Sequence, residues 1–220
     1  TLHRPREIAD VDRATRRLAW EELFFLQLLH ARARHEIRSL DPGHGMRAES
    51  TLCRSFLEAL PFSLTGAQMR AWDEIRADME EDARMYRLLQ GDVGSGKTVV
   101  AVAAMLKAVE NGFQAVLMAP TELLAEQHMR TLARLLRSTG IEPRLLTGSV
   151  TGSERAEVLL GLRDGSLPLA IGTHALFQEG VSFARPGLMV IDEQHRFGVS
   201  QRRALRDLGG SADMLVMSAT

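Results

Sequence analysis

Cysteine is nearly absent from this chain: Cys53 stands alone among 220 residues. No intramolecular disulfide can form, which sets aside the disulfide-stapled secreted domains and fits a reducing compartment. No histidine-rich stretch surrounds Cys53, so a buried structural thiol is expected there rather than a nucleophile. No run of about 18 apolar residues occurs, so no membrane-spanning helix and no membrane partner are expected. The first residues hold no hydrophobic core of a secretory signal. These absences together point to the cytoplasm. An excess of one charge is lacking too: 27 Lys and Arg stand against 28 Asp and Glu. Any grip on nucleic acid must then come from local clusters rather than from an overall field. There is no internal repeat, and His3, His30, His35 and His44 show no metal-ligand spacing.

Lysine is scarce as well. Lys97 and Lys107 are the only two, every other basic residue being arginine. One of them lies in Gly91-Asp92-Val93-Gly94-Ser95-Gly96-Lys97-Thr98, which satisfies the phosphate-loop pattern G-x-x-x-x-G-K-[ST]. Small residues let the backbone wrap a triphosphate, so that its N–H groups point at the phosphates. Lys97 can reach the β- and γ-phosphate oxygens, and the Thr98 hydroxyl can bind Mg²⁺. A compact ammonium fits between phosphates where a planar guanidinium would crowd them. Tyr86–Gln90 reads as the strand before the loop, and 98–111 as the helix after it, with its positive end aimed at the phosphates. A solvent-facing glycine turn is the competing reading, and the strand–loop–helix setting disfavours it.

The chain divides near residue 61. Residues 6–39 read as one long helix, with Ile8, Val11, Leu18, Phe25 and Leu29 on helical spacing and Asp41-Pro42-Gly43 as its stop. Its arginines suit a solvated face, with phosphate binding as the alternative. A shorter helix follows at 50–60. Two helices make a poor core, so residues 1–60 are expected to be a helical linker segment that packs on the larger domain or joins it to something upstream.

Beyond Pro61, short apolar runs alternate with helices. Strands are expected at Tyr86–Gln90, Ala115–Ala119, Arg144–Thr147, Leu169–Gly172, Leu188–Asp192 and Met214–Ser218. Helices are expected at 98–111, 122–138, 152–163 and 199–207. Thr65 with Gln68, and Thr151 with Glu154, have the spacing of capping boxes. Apolar strands separated by helices indicate an α/β fold, a parallel sheet covered on both faces.

Ligands of such sheets bind beyond the carboxyl ends of the strands. One strand ends in Asp192-Glu193, where the Asp would hold Mg²⁺ and the Glu would polarise the water that attacks the γ-phosphate. A plain strand-end polar cluster is the alternative. Thr121 can cap the helix after Ala119-Pro120, and the free N–H groups there could receive a DNA phosphate. Thr173 and His174 end another strand with polar groups suited to backbone contact. His195 could equally link two strand ends or move a proton.

Gly91–Thr98, Ala119–His128, Thr147-Gly148-Ser149, Gly172–Leu176, Asp192–His195 and Ser218–Thr220 resemble, in order, the motifs of the superfamily 2 helicases. Among these the chain is similar to the RecG family of bacterial branched-DNA translocases, most specifically through Asp192–Gly198 and Gln201-Arg202. Transcription–repair coupling translocases look similar too, but tend to have Glu where this chain has Gln194. The resemblance implies a RecA-like first motor domain over 61–220, with ATP and Mg²⁺ as cofactors and branched DNA as partner. Lys97, Asp192 and Glu193 would be its catalytic residues, and Pro120, Thr121, Glu122, Gly148, Thr173 and His174 would face DNA. Gln194, His195, Ser218 and Thr220 would couple nucleotide state to DNA. It also implies an upstream wedge domain and a second motor domain with arginine fingers, neither of which these residues contain, so a piece of a longer protein is expected. The family's adenine-reading Gln maps onto Gln68, in competition with the capping box. A non-catalytic nucleotide-binding module and an ATPase unrelated to nucleic acid remain as rivals.

Overall fold

The computed structural model describes residues 8–40, 42–47, 51–178, 180–193 and 212–219. They form two compact units, one ending at residue 41 and one beginning at Pro42. The first is helix α1, Ile8–Leu40. Along it, side chains one turn apart meet as helical spacing requires. Trp20 stacks on Phe24 at 4.9 Å, and the Arg17 guanidinium sits 5.1 Å from the Trp20 ring.

The second unit holds α2 (Thr51–Glu58), α3 (Gly66–Glu80), β1 (Tyr86–Gln90), α4 (Lys97–Glu110), β2 (Gln114–Met118) and α5 (Glu122–Leu135). There follow β3 (Arg144–Leu146), α6 (Gly152–Asp164), β4 (Leu169–Gly172), β5 (Pro186–Asp192) and β6 (Asp213–Ser218). The six strands form one parallel sheet in the order β1-β6-β5-β2-β4-β3. This is the expected α/β architecture, and alternate residues of the central strands point to opposite faces. Ala115, Leu117, Leu188 and Val190 join the core beneath α2, α3, α4 and α5. Val116 and Ala170 meet Val158 and Leu162 of α6 on the other face, while Met118, Met189 and Ile191 form a further cluster with Met214 and Val216.

Helix α4 is apolar almost all round, and Val99 to Ala108 are buried. Lys107 lies among them, with its ammonium 2.8 Å from the Glu80 carboxylate. Such a charge persists in a core only when paired.

The division of the fold differs from the boundary read near residue 61. Cys53 and Phe56 of α2 are fully buried in the sheet unit's core. The Glu110 carboxylate at the end of α4 accepts from the Leu52 N–H at 2.7 Å and from the Thr51 hydroxyl at 2.5 Å, capping α2 from another helix. Residues 42–47 strap the amino-terminal edge of the sheet. There the Gly43 N–H donates to Asp82, the Met46 N–H to Met79, and the His44 Nε2 to the Pro186 carbonyl. Burial lowers the His44 pKa and pushes the Cys53 thiol up to about 12. Cys53 is thus the inert buried thiol expected.

Two local expectations change. Thr151 stands at the N-cap of α6, but its side chain makes no capping bond, because the helix opens through Gly152 at φ +63°. The helix expected over 122–138 closes as α-helix at Leu135 and tightens into one 3₁₀ turn, Leu136–Ser138. The expected helix at 199–207 lies outside the described residues.

Candidate functional site

β1, β6 and β5 lie side by side and end at one edge, with Gln90 opposite Ser218 and Asp192 opposite Met217. The segments that follow are stitched to β6. The Gly91 N–H donates to the Ser218 carbonyl at 3.3 Å, and the Glu193 N–H to the Met217 carbonyl at 3.0 Å. The loop Gly91–Gly96, the acids Asp192 and Glu193, and Ser218 are therefore brought together by three adjacent strands.

The loop leads into α4 through Gly96, at φ +81°. That left-handed conformation suits glycine, and a Cβ there would also run into the Gln68 side-chain amide. Lys97, the first residue of α4, donates from Nζ to the carbonyls of Gly91 at 2.5 Å and Asp92 at 2.8 Å. Its ammonium thus sits over the loop rather than out in solvent. Glu193 turns off the strand at φ +50° without being glycine. Such a residue stores of order 1–3 kcal/mol of strain, and such strain concentrates at functional sites.

Gln68 uses both ends of its amide. Its Oε1 accepts from the Thr65 N–H at 2.8 Å while the Thr65 hydroxyl accepts from the Gln68 N–H, so the capping box forms as spaced. Its Nε2 donates to the Ser95 carbonyl at 2.8 Å, tying α3 to the phosphate loop. A cleft of about 410 Å³ opens here, lined by Thr65, Gln68, Gln90, Gly91, Ser95 and Lys97, among others.

The other half of the same edge gathers the nucleic-acid candidates. Thr121 caps α5 by accepting from the Leu124 N–H at 3.3 Å, directly after Pro120 at the end of β2. Glu122 packs against Gly148 so closely that a Cβ on Gly148 would meet its Oε1 at 2.8 Å. Thr173 and His174 follow β4, the first buried and the second exposed. The candidate residues thus fall into two groups, one beyond β1, β6 and β5 and one beyond β2, β4 and β3. Gln194, His195 and Thr220 lie outside the described residues.

One contact spans both groups, and the sequence did not assign it. The His128 Nε2 on α5 lies 2.7 Å from the Asp192 Oδ2, with both side chains mostly buried. A carboxylate oxygen only accepts, so the ring carries a proton on Nε2. His128 falls within the Ala119–His128 motif, but nothing local in sequence shows that β2 and β5 are neighbours.

The family model described as DEAD/DEAH box helicase matches residues 65–220. The chain belongs to the DEAD/DEAH box helicase family. It is 49% identical over 219 residues to the ATP-dependent DNA helicase RecG of Thermotoga maritima, covering 100% of this chain and 28% of that protein. With the RecG of Streptococcus pneumoniae the identity is 48%, over 100% of this chain and 32% of the relative. A solved structure of RecG bound to a three-way DNA junction superposes with a TM-score of 0.85 at 46% identity, covering 98% of this chain and 29% of that one. The helicase-family fold assigned from sequence is therefore the one present, and the chain spans about a third or less of these relatives' length.

Proposed function

We propose that this chain is the first motor domain of an ATP-dependent DNA helicase that acts on branched DNA in recombination and repair. Residues 61–220 form the motor in this reading, α1 is a linker, and α2 with the 42–47 strap moves with the motor because they share its core. The observation that carries the reading is the convergence of the phosphate loop, Asp192, Glu193 and Ser218 on three adjacent strand ends.

The residues present fit ATP with Mg²⁺. A glycine loop at a helix start, a lysine over it and an acid pair on a neighbouring strand are the groups such a ligand needs. Asp192 is a strand-end carboxylate on the strand neighbouring β6, which itself adjoins the loop strand β1. One such carboxylate suits Mg²⁺, which is commonly held by one or two carboxylates together with substrate phosphates. When bound, nucleotide would supply the phosphoryl group and Mg²⁺ would offset its charge. In the chain itself, the loop N–H groups and Lys97 would bind phosphate oxygens, Thr98 and Asp192 would hold the metal, and Glu193 would orient and deprotonate water. For Gln68, one amide N–H and one Oε1 lone pair remain beyond its bonds to Ser95 and Thr65, so in this reading it braces the loop and also contacts adenine. Thr121, Glu122, Gly148, Thr173 and His174 are the residues that would face the DNA backbone, and Gln194, His195, Ser218 and Thr220 would pass nucleotide state to them.

The test is ATP hydrolysis by the full-length protein, measured without DNA, with linear duplex and with a forked junction. Stimulation by DNA, strongest with the fork and absent in Lys97→Ala, is the expected result. Turnover indifferent to DNA would refute the reading.

A further inference from the structure

Asp192 and His128 come from different parts of the fold. Asp192 ends β5 and His128 lies seven residues into the β2–α5 segment that opens at Thr121, about 10 Å along the helix axis at 1.5 Å per residue. They meet because β2 pairs with β5 in the sheet. Their 2.7 Å contact is a side-chain hydrogen bond across 64 residues of sequence, in a mostly buried setting where such a bond is poorly screened by water. One oxygen of the carboxylate is thereby committed to the imidazole, which restrains rotation of the group about its Cβ–Cγ bond.

We propose that His128 is a positioning residue for Asp192, holding the carboxylate in the orientation that serves Mg²⁺ and tying it to the helix that begins at Thr121. The inference rests on the nucleotide·Mg²⁺ reading of the strand-end site. Two alternatives are weaker. A histidine serving only to fill the core would not place its ring nitrogen on the one acid that ends this strand. A surface ion pair would be solvated, whereas these two side chains are only 14% and 16% exposed. Partners that orient metal-binding groups typically change metal affinity about 10–100-fold when removed.

The experiment titrates MgCl₂ against the protein with ADP labelled on its ribose by N-methylanthraniloyl, reading fluorescence, with a parallel titration of the nucleotide in EDTA. Parent, His128→Ala and His128→Gln are compared, each checked by circular dichroism and thermal melting. In His128→Ala the Mg²⁺ concentration for half-maximal binding should rise about tenfold or more, while affinity in EDTA stays at the parental value. His128→Gln, whose amide can donate from nearly the same place, should recover most of the loss. A parental Mg²⁺ response in His128→Ala overturns the inference and leaves the nucleotide reading standing. Equal losses with and without Mg²⁺, unrepaired by Gln, also overturn it, because they mark a structural role. If the parent itself shows no Mg²⁺-dependent nucleotide binding, the site reading fails and takes the inference with it.

Discussion

Lys97 donates to the carbonyls of Gly91 and Asp92, so its ammonium is already held at the mouth of the phosphate loop. Replacing it with Ala removes the cation nearest the β- and γ-phosphates, and ATP affinity should fall at least tenfold in a nucleotide titration. Glu193 calls for a different outcome. Its backbone bond to Met217 survives substitution by Gln, so Glu193→Gln should bind ATP like the parent while turnover in the full-length protein drops 100-fold or more, at about the scale of a lost general base. Parental hydrolysis by that variant would remove Glu193 from the chemistry. The roles proposed for Lys97 and Glu193 were assignable in sequence because both residues sit at fixed offsets within short motifs. The contact of His128 with Asp192 is not, since it depends on strand order, which no local spacing encodes.

Elements were legible where their signal is local. Every strand expected from apolar runs is present within about two residues at its ends. Packing of this region on the larger domain was legible, but that α2 supplies it was not, because its burial depends on a groove made by α4 and on the distant Glu110 carboxylate. That packing can be measured. Phe56→Ala removes a fully buried ring from α2 and should cost about 3–5 kcal/mol in denaturant unfolding; a near-neutral result would mean that α2 is dispensable to the sheet unit. The start of β6 makes a pH prediction. Asp213 is buried beside Arg84, and burial pushes its pKa from the ordinary 3.8 up to about 7 although it accepts from the Met85 N–H at 2.7 Å. The folded state therefore holds this proton more tightly than the unfolded chain does. Its contribution to stability is complete below about pH 4 and is lost as pH rises through about 7. Asp213→Asn should flatten that part of the stability profile, read as thermal midpoint against pH; an unchanged slope would assign it to other groups.

At the scale of the molecule, the cleft beside the phosphate loop is lined among the described residues by Gln68, Gln90, Lys97 and small or apolar neighbours, with no arginine. An arginine brought by a partner domain accelerates phosphoryl transfer by roughly 10³–10⁵. If the arginine comes from a second motor domain, as the RecG resemblance implies, this chain alone should bind ATP but hydrolyse it slowly, with little response to forked DNA. Brisk DNA-stimulated turnover by residues 1–220 would place the missing cation within the chain. The scarcity of lysine has a chemical corollary. Of its two ε-amines, that of Lys107 is sealed in the core against Glu80 and that of Lys97 lies at the loop mouth. An amine-selective acylating reagent should thus mark, apart from the α-amine, a single side chain, and ATP should protect it. Mass spectrometry of that one adduct would report occupancy of the loop without a modified nucleotide, a selectivity that a lysine-rich surface would drown.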